Sequence, residues 1–126
     1  MNEKPNNQLM VQTDEEIINN EQFEDMRDLL EEDFADLIQI YITDSQQRVV
    51  ALRVAQQEND NANGFEIAHA LKGASANLGT TQLVLLCRQL QEHCRERLIS
   101  EHASLIEEIA VALKRAEQAI NQRLGQ

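Results

Sequence analysis

The 126 residues of this chain suffice for one domain with a single hydrophobic core, and its net charge of −11 makes nucleic acid and anionic membranes poor partners. Aromatic residues make up 3% of the chain, and glycine and proline are scarce, so the composition favours helices over strands. No apolar run reaches the ~18 residues of a membrane span, and the first residues lack the apolar core of a signal peptide. We therefore expect a cytoplasmic, all-helical protein.

The N-terminal residues are polar and carry the single proline of the chain. We expect residues 1–12 to form a flexible tail before one domain at residues 13–124. Thr13 and Glu16 have the spacing of a capping box, which predicts a first short helix. That helix would carry Ile17 and Ile18.

A second short helix and a long helix follow. Asn20 is placed to cap the short one, Glu21–Leu30. The apolar positions of that helix are Phe23, Met26 and Leu30. The long helix, Glu32–Glu58, is apolar on one face and polar on the other. Its apolar positions recur at helical spacing: Phe34, Leu37, Ile38, Tyr41, Ser45, Val49, Leu52 and Ala55.

A polar turn separates the long helix from the middle of the chain. Residues 59–64 are rich in Asn, Asp and Gly, which predicts a loop. Asn63 would cap a third helix that runs from Gly64 to Leu78. Gly79 would end this helix in the left-handed conformation that glycine adopts without strain.

Two more helices complete the predicted fold. Thr80 or Thr81 caps the fourth, whose apolar positions are Leu83, Leu86, Cys87, Leu90 and Cys94. Ser100 caps the last, whose apolar positions are Leu105, Ile106, Ile109, Leu113, Ala116 and Ile120. Helices joined by short loops predict an all-α fold, an antiparallel up-down four-helix bundle with the short N-terminal helices packed across it.

The sequence shows no metal-binding spacing. Cys87 and Cys94 fall in line with the leucines of the fourth helix, so we expect two buried thiols and no disulfide. No CxxC pair occurs, and we expect no bound metal. His93 and His102 have no motif around them and are interpreted as ordinary surface residues.

The third helix carries an unusual polar face. At ~100° per residue, its core face is formed by Ile67, Leu71, Ala74, Ser75 and Leu78. His69 points roughly the opposite way and should lie in water. Phe65, Lys72, Gly73 and Ala76 neighbour it at helical spacings. Ser75, on the core face, is interpreted as a small buried residue rather than a catalytic hydroxyl.

The stretch from His69 to Gly79 reads His-x-Leu-Lys-Gly-x-Ser-x-x-Leu-Gly. This pattern resembles the signature of histidine-containing phosphotransfer (HPt) domains, the shuttle modules of multistep phosphorelays. The likeness covers about residues 14–124 and includes Phe34, the pair Ala68-His69 and the stretch Leu86-Cys87-x-x-Leu90-Gln91. Where the family usually has a glycine before the long helix, this chain has Glu31.

The resemblance implies a role for each matching residue. His69 would accept a phosphoryl group from a receiver-domain aspartate of a hybrid kinase and pass it to a response regulator. Lys72 would lie beside the phosphoryl group, and Gly73 would leave room for the partner. Gln91 would hydrogen-bond the histidine ring from the neighbouring helix. The chain would be a phosphoryl carrier rather than an enzyme and would have no cofactor, because the receiver brings the Mg²⁺.

The residue types suit this chemistry. Histidine titrates near ~6.5 in model peptides, so it is uncharged part of the time at neutral pH. A phosphoryl group adds negative charge, and Lys72 supplies a cation one turn away. Gly73 costs a helix about 1 kcal/mol relative to alanine, and close approach by a partner would account for it.

A partner-binding surface follows from the same helical geometry. Phe65, Gly73 and Ala76 lie near the histidine on its own helix. Arg88 and Arg95 share a flank of the next helix with the glutamine. If that flank faces the histidine, these two arginines and Lys72 form a basic island on an acidic protein. We expect this island to steer the protein onto receiver domains, whose active sites are clusters of aspartates.

Two other functions remain open from the sequence. One is a helical adaptor that docks receiver or kinase domains without being phosphorylated, and replacing His69 with Gln separates it from a shuttle. The other is a metal-binding bundle, which a metal analysis would reveal. We expect a monomer, since no second apolar stripe remains once the bundle is closed.

Overall fold

The structure is a computed structural model that describes residues 17–125. Its five long helices are α1 Asn20–Leu30, α2 Phe34–Gln57, α3 Asn61–Leu78, α4 Thr81–Arg95 and α5 Ala103–Arg123. Short 3₁₀ turns, Glu31–Asp33 and Ile99–Glu101, precede α2 and α5. Over residues 17–125 the fold contains no strand, and no helix is long and apolar enough to cross a membrane.

Helices α2 to α5 form the predicted four-helix bundle. Each of them packs against two others, so that α3 and α5 lie diagonally opposite between α2 and α4. Helix α1 lies across α3 and α2, as predicted for the N-terminal helices. The predicted tail (residues 1–12) and the capping box lie outside the described residues. Ile17 is helical, whereas Ile18 is not helical and is fully buried.

The hydrophobic core has two parts. The larger part fills the bundle between α2, α3, α4 and α5, and both thiols, Cys87 and Cys94, are buried in it without a disulfide. The smaller part lies under α1, where Phe23 meets Phe34 edge to face at 5.2 Å between ring centroids. The apolar positions predicted for α2 and α5 are buried or half-buried, which confirms their periodicity.

Two predicted helix starts are wrong because a neighbouring residue caps the helix. Asn19, not Asn20, caps α1: it has extended backbone angles and its Oδ1 accepts from Gln22 N at 2.9 Å. Asp60 caps α3 by accepting from Asn63 N at 3.1 Å, so the predicted cap, Asn63, lies inside the helix.

The predicted loop at residues 59–64 is therefore shorter than expected. Gly64 signals close packing rather than a turn, because a Cβ at this position would overlap the Ile99 side chain. Asn59, with φ of 53°, makes the actual turn. The turn before α5 is also displaced: Arg97 has φ of 64°, and Ser100, the predicted cap, lies within a 3₁₀ turn.

Gly79 ends α3 with φ of 76°, as predicted. Thr80 then occupies the capping position of α4, but its hydroxyl makes no capping hydrogen bond. It donates instead to Ser75 O at 3.1 Å and shares a 2.9 Å hydrogen bond with the Tyr41 hydroxyl. Tyr41 also contacts Ser75 Oγ at 2.8 Å. This buried network ties α2 to both sides of the turn, and it confirms Ser75 as a core residue.

Removing the Tyr41 hydroxyl is expected to destabilise the bundle. Tyr41→Phe leaves the fully buried Ser75 Oγ without this partner, at a cost of about 1–2 kcal/mol. Burial raises the pKa of the Tyr41 phenol, with hydrogen bonds to Ser75 and Thr80 opposing the rise, so the lost interaction is that of a neutral hydroxyl. Urea unfolding followed by circular dichroism measures the change, and an unchanged midpoint would contradict it.

Glu31 occupies the corner where the resembled family usually has a glycine. Its φ of 51° and ψ of −119° form a conformation that glycine adopts readily and other residues adopt only with strain. We therefore expect Glu31→Gly to stabilise the protein by about 1 kcal/mol. Glu32→Gly, one residue later at an ordinary φ, should destabilise it. If urea unfolding showed that both variants lose the same free energy of unfolding, the assignment of strain to Glu31 would be contradicted.

Candidate functional site

The site is built on the outer face of α3. His69 is exposed, as predicted, while Leu71, Ser75 and Leu78 point into the core on the opposite side. Ala68 and Gly64 are also buried, so α3 packs closely against α4. The close packing brings side chains of α4 within reach of the histidine ring.

Two side chains hold the imidazole ring. Gln91, on α4 and 97% buried, places Nε2 3.4 Å from His69 Nδ1. Phe65, one turn earlier on α3, stacks on the ring at 6.4 Å between centroids with a 4° angle between planes. With Nδ1 turned toward the protein, Nε2 is the ring nitrogen available to a reactant in solvent.

Cations lie around the histidine on the α4 side. The Arg95 guanidinium lies over the Phe65 ring, 5.1 Å from its centroid, and forms an ion pair with Glu92. Lys72 is half-buried one turn beyond the histidine. Its charge reaches Cys87, where burial raises the thiol pKa to about 12 and Lys72 partly opposes the rise. This thiol stays protonated at neutral pH and is no candidate nucleophile.

Open space lies on the other side of the histidine. Gly73 and Ala76 are exposed, and a Cβ at Gly73 would meet no atom within 4 Å. Beyond them, a groove of about 330 Å³ runs between α1, α2 and α3. Its apolar lining includes Met26, Leu37 and Ile40, and the Ile40 side chain is 58% exposed.

The structure places several of the residues predicted for the site around the histidine. Phe65 and Gln91 touch or face the ring, Gly73 and Ala76 lie open beside it, and the α4 flank with Arg95 faces α3. Arg88 lies further along α4, where it lines a groove with Ala76.

Sequence alone did not predict two features of the structure. It gave no role to Ile40, because an apolar residue on the polar face of a long helix carries no motif. It also treated His93 and His102 as ordinary surface residues, whereas they are half-buried and their rings stack at 3.5 Å between centroids. Among residues 17–125, no group of His, Cys, Asp or Glu side chains is arranged to hold a metal ion.

Comparison with known proteins identifies the family. The Hpt domain family model matches residues 36–122, which is more than half of the chain. The chain belongs to the Hpt domain family. The match includes α3 and α4, the helices that carry the exposed histidine and the glutamine facing it.

A solved structure shows the same architecture as this Hpt domain. The crystal structure of histidine-containing phosphotransfer protein B (HptB) from Pseudomonas aeruginosa PAO1 matches with a TM-score of 0.81. The match covers 85% of this chain and 93% of that one at 23% sequence identity, so it establishes the shared fold. No curated protein matches the chain by sequence. Membership of the Hpt domain family places the protein in phosphotransfer within phosphorelays.

Proposed function

We propose that this Hpt-domain protein carries phosphoryl groups between receiver domains. His69 takes the group from an aspartyl phosphate on the receiver domain of a hybrid sensor kinase and passes it to an aspartate of a response regulator. The observation that carries this proposal is the exposed His69 ring, held at Nδ1 by Gln91 within a domain of the Hpt family.

The transfer is an in-line displacement. The lone pair of His69 Nε2 attacks phosphorus, an N–P bond forms, and the P–O bond to the aspartate breaks to release a carboxylate. Nδ1 keeps its proton, so Nε2 needs no base to remove one. The same steps in reverse deliver the phosphoryl group to the second receiver.

Gln91 selects the ring tautomer that this attack requires. The structure places the Gln91 amide nitrogen toward the ring, and if it donated there, Nδ1 would be the acceptor and the proton would lie on Nε2, the attacking atom. With the amide turned over, Oε1 accepts from Nδ1–H and the Nε2 lone pair points to solvent.

The surroundings of His69 suit a charged group that two proteins must reach. Phosphorylation adds charge of about −1.5 to −2, and Lys72 lies one turn away to balance part of it. Because Gly73 and Ala76 have little or no side chain, a partner can approach the surface beside His69 closely. The apolar groove with Met26, Leu37 and Ile40 provides area for docking. The site therefore combines a nucleophile, a cation and a place for a receiver.

The protein acts in the cytoplasm as a monomer and is consumed and regenerated as a carrier, which makes it no enzyme in the usual sense. It needs no cofactor of its own, because the receiver supplies the Mg²⁺ together with the aspartate.

Charge reversal on the α4 flank tests the steering of receivers. Arg88→Glu and Arg95→Glu should each slow association with a receiver and weaken its dependence on salt, because attraction to the acidic active site is lost. We expect about a 3- to 10-fold lower association rate at low ionic strength. Stopped-flow measurements at several salt concentrations give the association rates. Lys114→Glu, an equal charge change on α5, is the control. If the Arg88 and Arg95 variants associated as fast as this control, the steering role would be contradicted.

A reconstituted relay distinguishes the shuttle from an adaptor that is never phosphorylated. A radiolabelled kinase receiver, this protein and a response regulator are mixed, and label on the regulator is followed with time. Wild type and His93→Gln should transfer label to the regulator, and His69→Gln should transfer none. If His69→Gln supported transfer or output as well as wild type, the adaptor would be the correct function.

A further inference from the structure

A second groove lies at the corner of the bundle where the start of α1 meets the end of α3 and the start of α4. This corner groove has a volume of about 630 Å³. Its apolar lining includes Ala76, Val84 and Leu85, and the Leu85 side chain is 53% exposed. An exposed leucine beside a groove of this size marks a surface suited to another molecule.

The rim of the corner groove is acidic on the α1 side. Glu21 and Asp25 are exposed and lie one helical turn apart on the same wall. Within residues 17–125, neither carboxylate forms an ion pair with a cation. Arg88 lines the opposite wall, so the groove presents two negative charges on one side and one positive charge on the other.

The corner groove is continuous with the surface around His69. Ala76 lies seven residues after the histidine, about two turns or ~10 Å along the same face of α3, and Gly73 lies between them. A protein that docks over His69 therefore reaches the groove without a long extension. The apolar groove lined by Ile40 lies on the other side of α3, toward α2.

We propose that the corner groove binds a cationic amphipathic helix of the receiver domain that exchanges phosphoryl groups with His69; this rests on the proposed function. The apolar stripe of the helix packs on Val84 and Leu85. Its Lys or Arg side chains face Glu21 and Asp25. A helix fits because a groove between packed helices recognises side chains at helical spacing and offers no strand edge for pairing.

The charges explain why this contact is separate from the active-site contact. The receiver brings an acidic active site to the histidine, where Lys72 and the α4 flank are basic. A second contact of opposite sign, to Glu21 and Asp25, requires a basic surface elsewhere on the same receiver. Two contacts of opposite sign fix the orientation of the receiver. A receiver domain that lacks the basic helix would bind more weakly.

Binding measurements in a His69→Gln background test the corner groove without any chemistry. The probe is the receiver domain that labels wild-type protein fastest in the reconstituted relay, titrated by calorimetry. The double variant Glu21→Lys/Asp25→Lys and the single variant Leu85→Asp should each raise the dissociation constant about 10-fold or more. Both changes are on exposed side chains, so the fold, checked by circular dichroism, should be retained.

Matched controls lie on the far side of the bundle. Glu101→Lys/Glu108→Lys makes the same change in net charge at exposed positions, and Val111→Asp alters a valine that is 50% exposed. Both should change the dissociation constant less than 2-fold. If the groove variants bound like these controls while phosphotransfer continued, the groove proposal would be wrong and the proposed function would stand. If no receiver transferred a phosphoryl group to the protein at all, the proposed function itself would fail.

Discussion

Gly73→Leu is expected to slow phosphotransfer from a receiver at least ~100-fold, which corresponds to about 2.7 kcal/mol. The side chain would project into open space beside His69, where a partner must approach closely. The same change should not weaken the fold, because nothing lies within 4 Å of the new Cβ and glycine is unfavourable in a helix. We therefore expect the transfer rate to fall while the midpoint of urea unfolding does not.

A small phosphoramidate donor distinguishes a docking defect from a damaged histidine. It reaches His69 without a protein interface, so Gly73→Leu should accept phosphate from it at close to the wild-type rate. Gln118→Leu, at an exposed position of α5 diagonally across the bundle, is the matched control and should transfer normally. Normal transfer from the receiver to Gly73→Leu would show that no partner packs against this surface.

Gln91→Met is expected to slow phosphotransfer about 10- to 100-fold, the cost of a reacting group that is no longer held in place. Methionine fills a similar volume in this buried position, but its thioether sulfur is a much weaker acceptor for Nδ1–H than an amide oxygen. The ring would then populate both tautomers and rotate away from the productive orientation. Rates from the receiver and from phosphoramidate should fall together, because the defect lies in the nucleophile and not in docking.

Gln91→Glu is the informative comparison. A carboxyl group keeps an oxygen that accepts from Nδ1–H, so this variant should recover most of the rate that Gln91→Met loses. Nitrogen NMR of the imidazole ring reports the tautomer directly: wild type should carry its proton on Nδ1, and Gln91→Met should show a mixture. A proton on Nε2 in the wild type would contradict the proposed orientation of the amide.

The histidine face of α3 follows from sequence because helical geometry alone determines it. Leu71 and Leu78 are seven residues apart, so they lie on the same face of the helix and point into the core together. His69, two residues before Leu71, then lies on the opposite, outer face. The neighbours Phe65 and Gln91 came from periodicity and from the resemblance, and the structure places both against the ring. Local geometry of this kind needs no knowledge of long-range packing.

Helix ends were less predictable because several polar residues compete to cap each helix. Asp60 and Asn63 are both good caps; Asp60 caps α3, and Gly64 then lies within the helix against Ile99, a residue distant in sequence. Glycine is ambiguous in the same way: it marks a left-handed turn at residue 79 and close packing at residue 64. Sequence alone does not distinguish these two uses.

The grooves beside α3 could not be predicted from sequence because each depends on where α1 crosses the bundle. Ile40 and Leu85 read as isolated exposed apolar residues, which are common on soluble proteins. They line grooves only after α1 is laid over α3 and α2. The stacking of His93 on His102 likewise requires the turn between α4 and α5.

The location of the phosphoryl group shows directly whether His69 is the acceptor. The protein is incubated with a radiolabelled receiver aspartyl phosphate and then treated with acid and with alkali. Wild type, His93→Gln and His102→Gln should each carry label that is acid-labile and alkali-stable, as expected for phosphohistidine, and His69→Gln should carry none. Label retained by His69→Gln, or acid-stable label on the wild type, would contradict a phosphohistidine shuttle at His69.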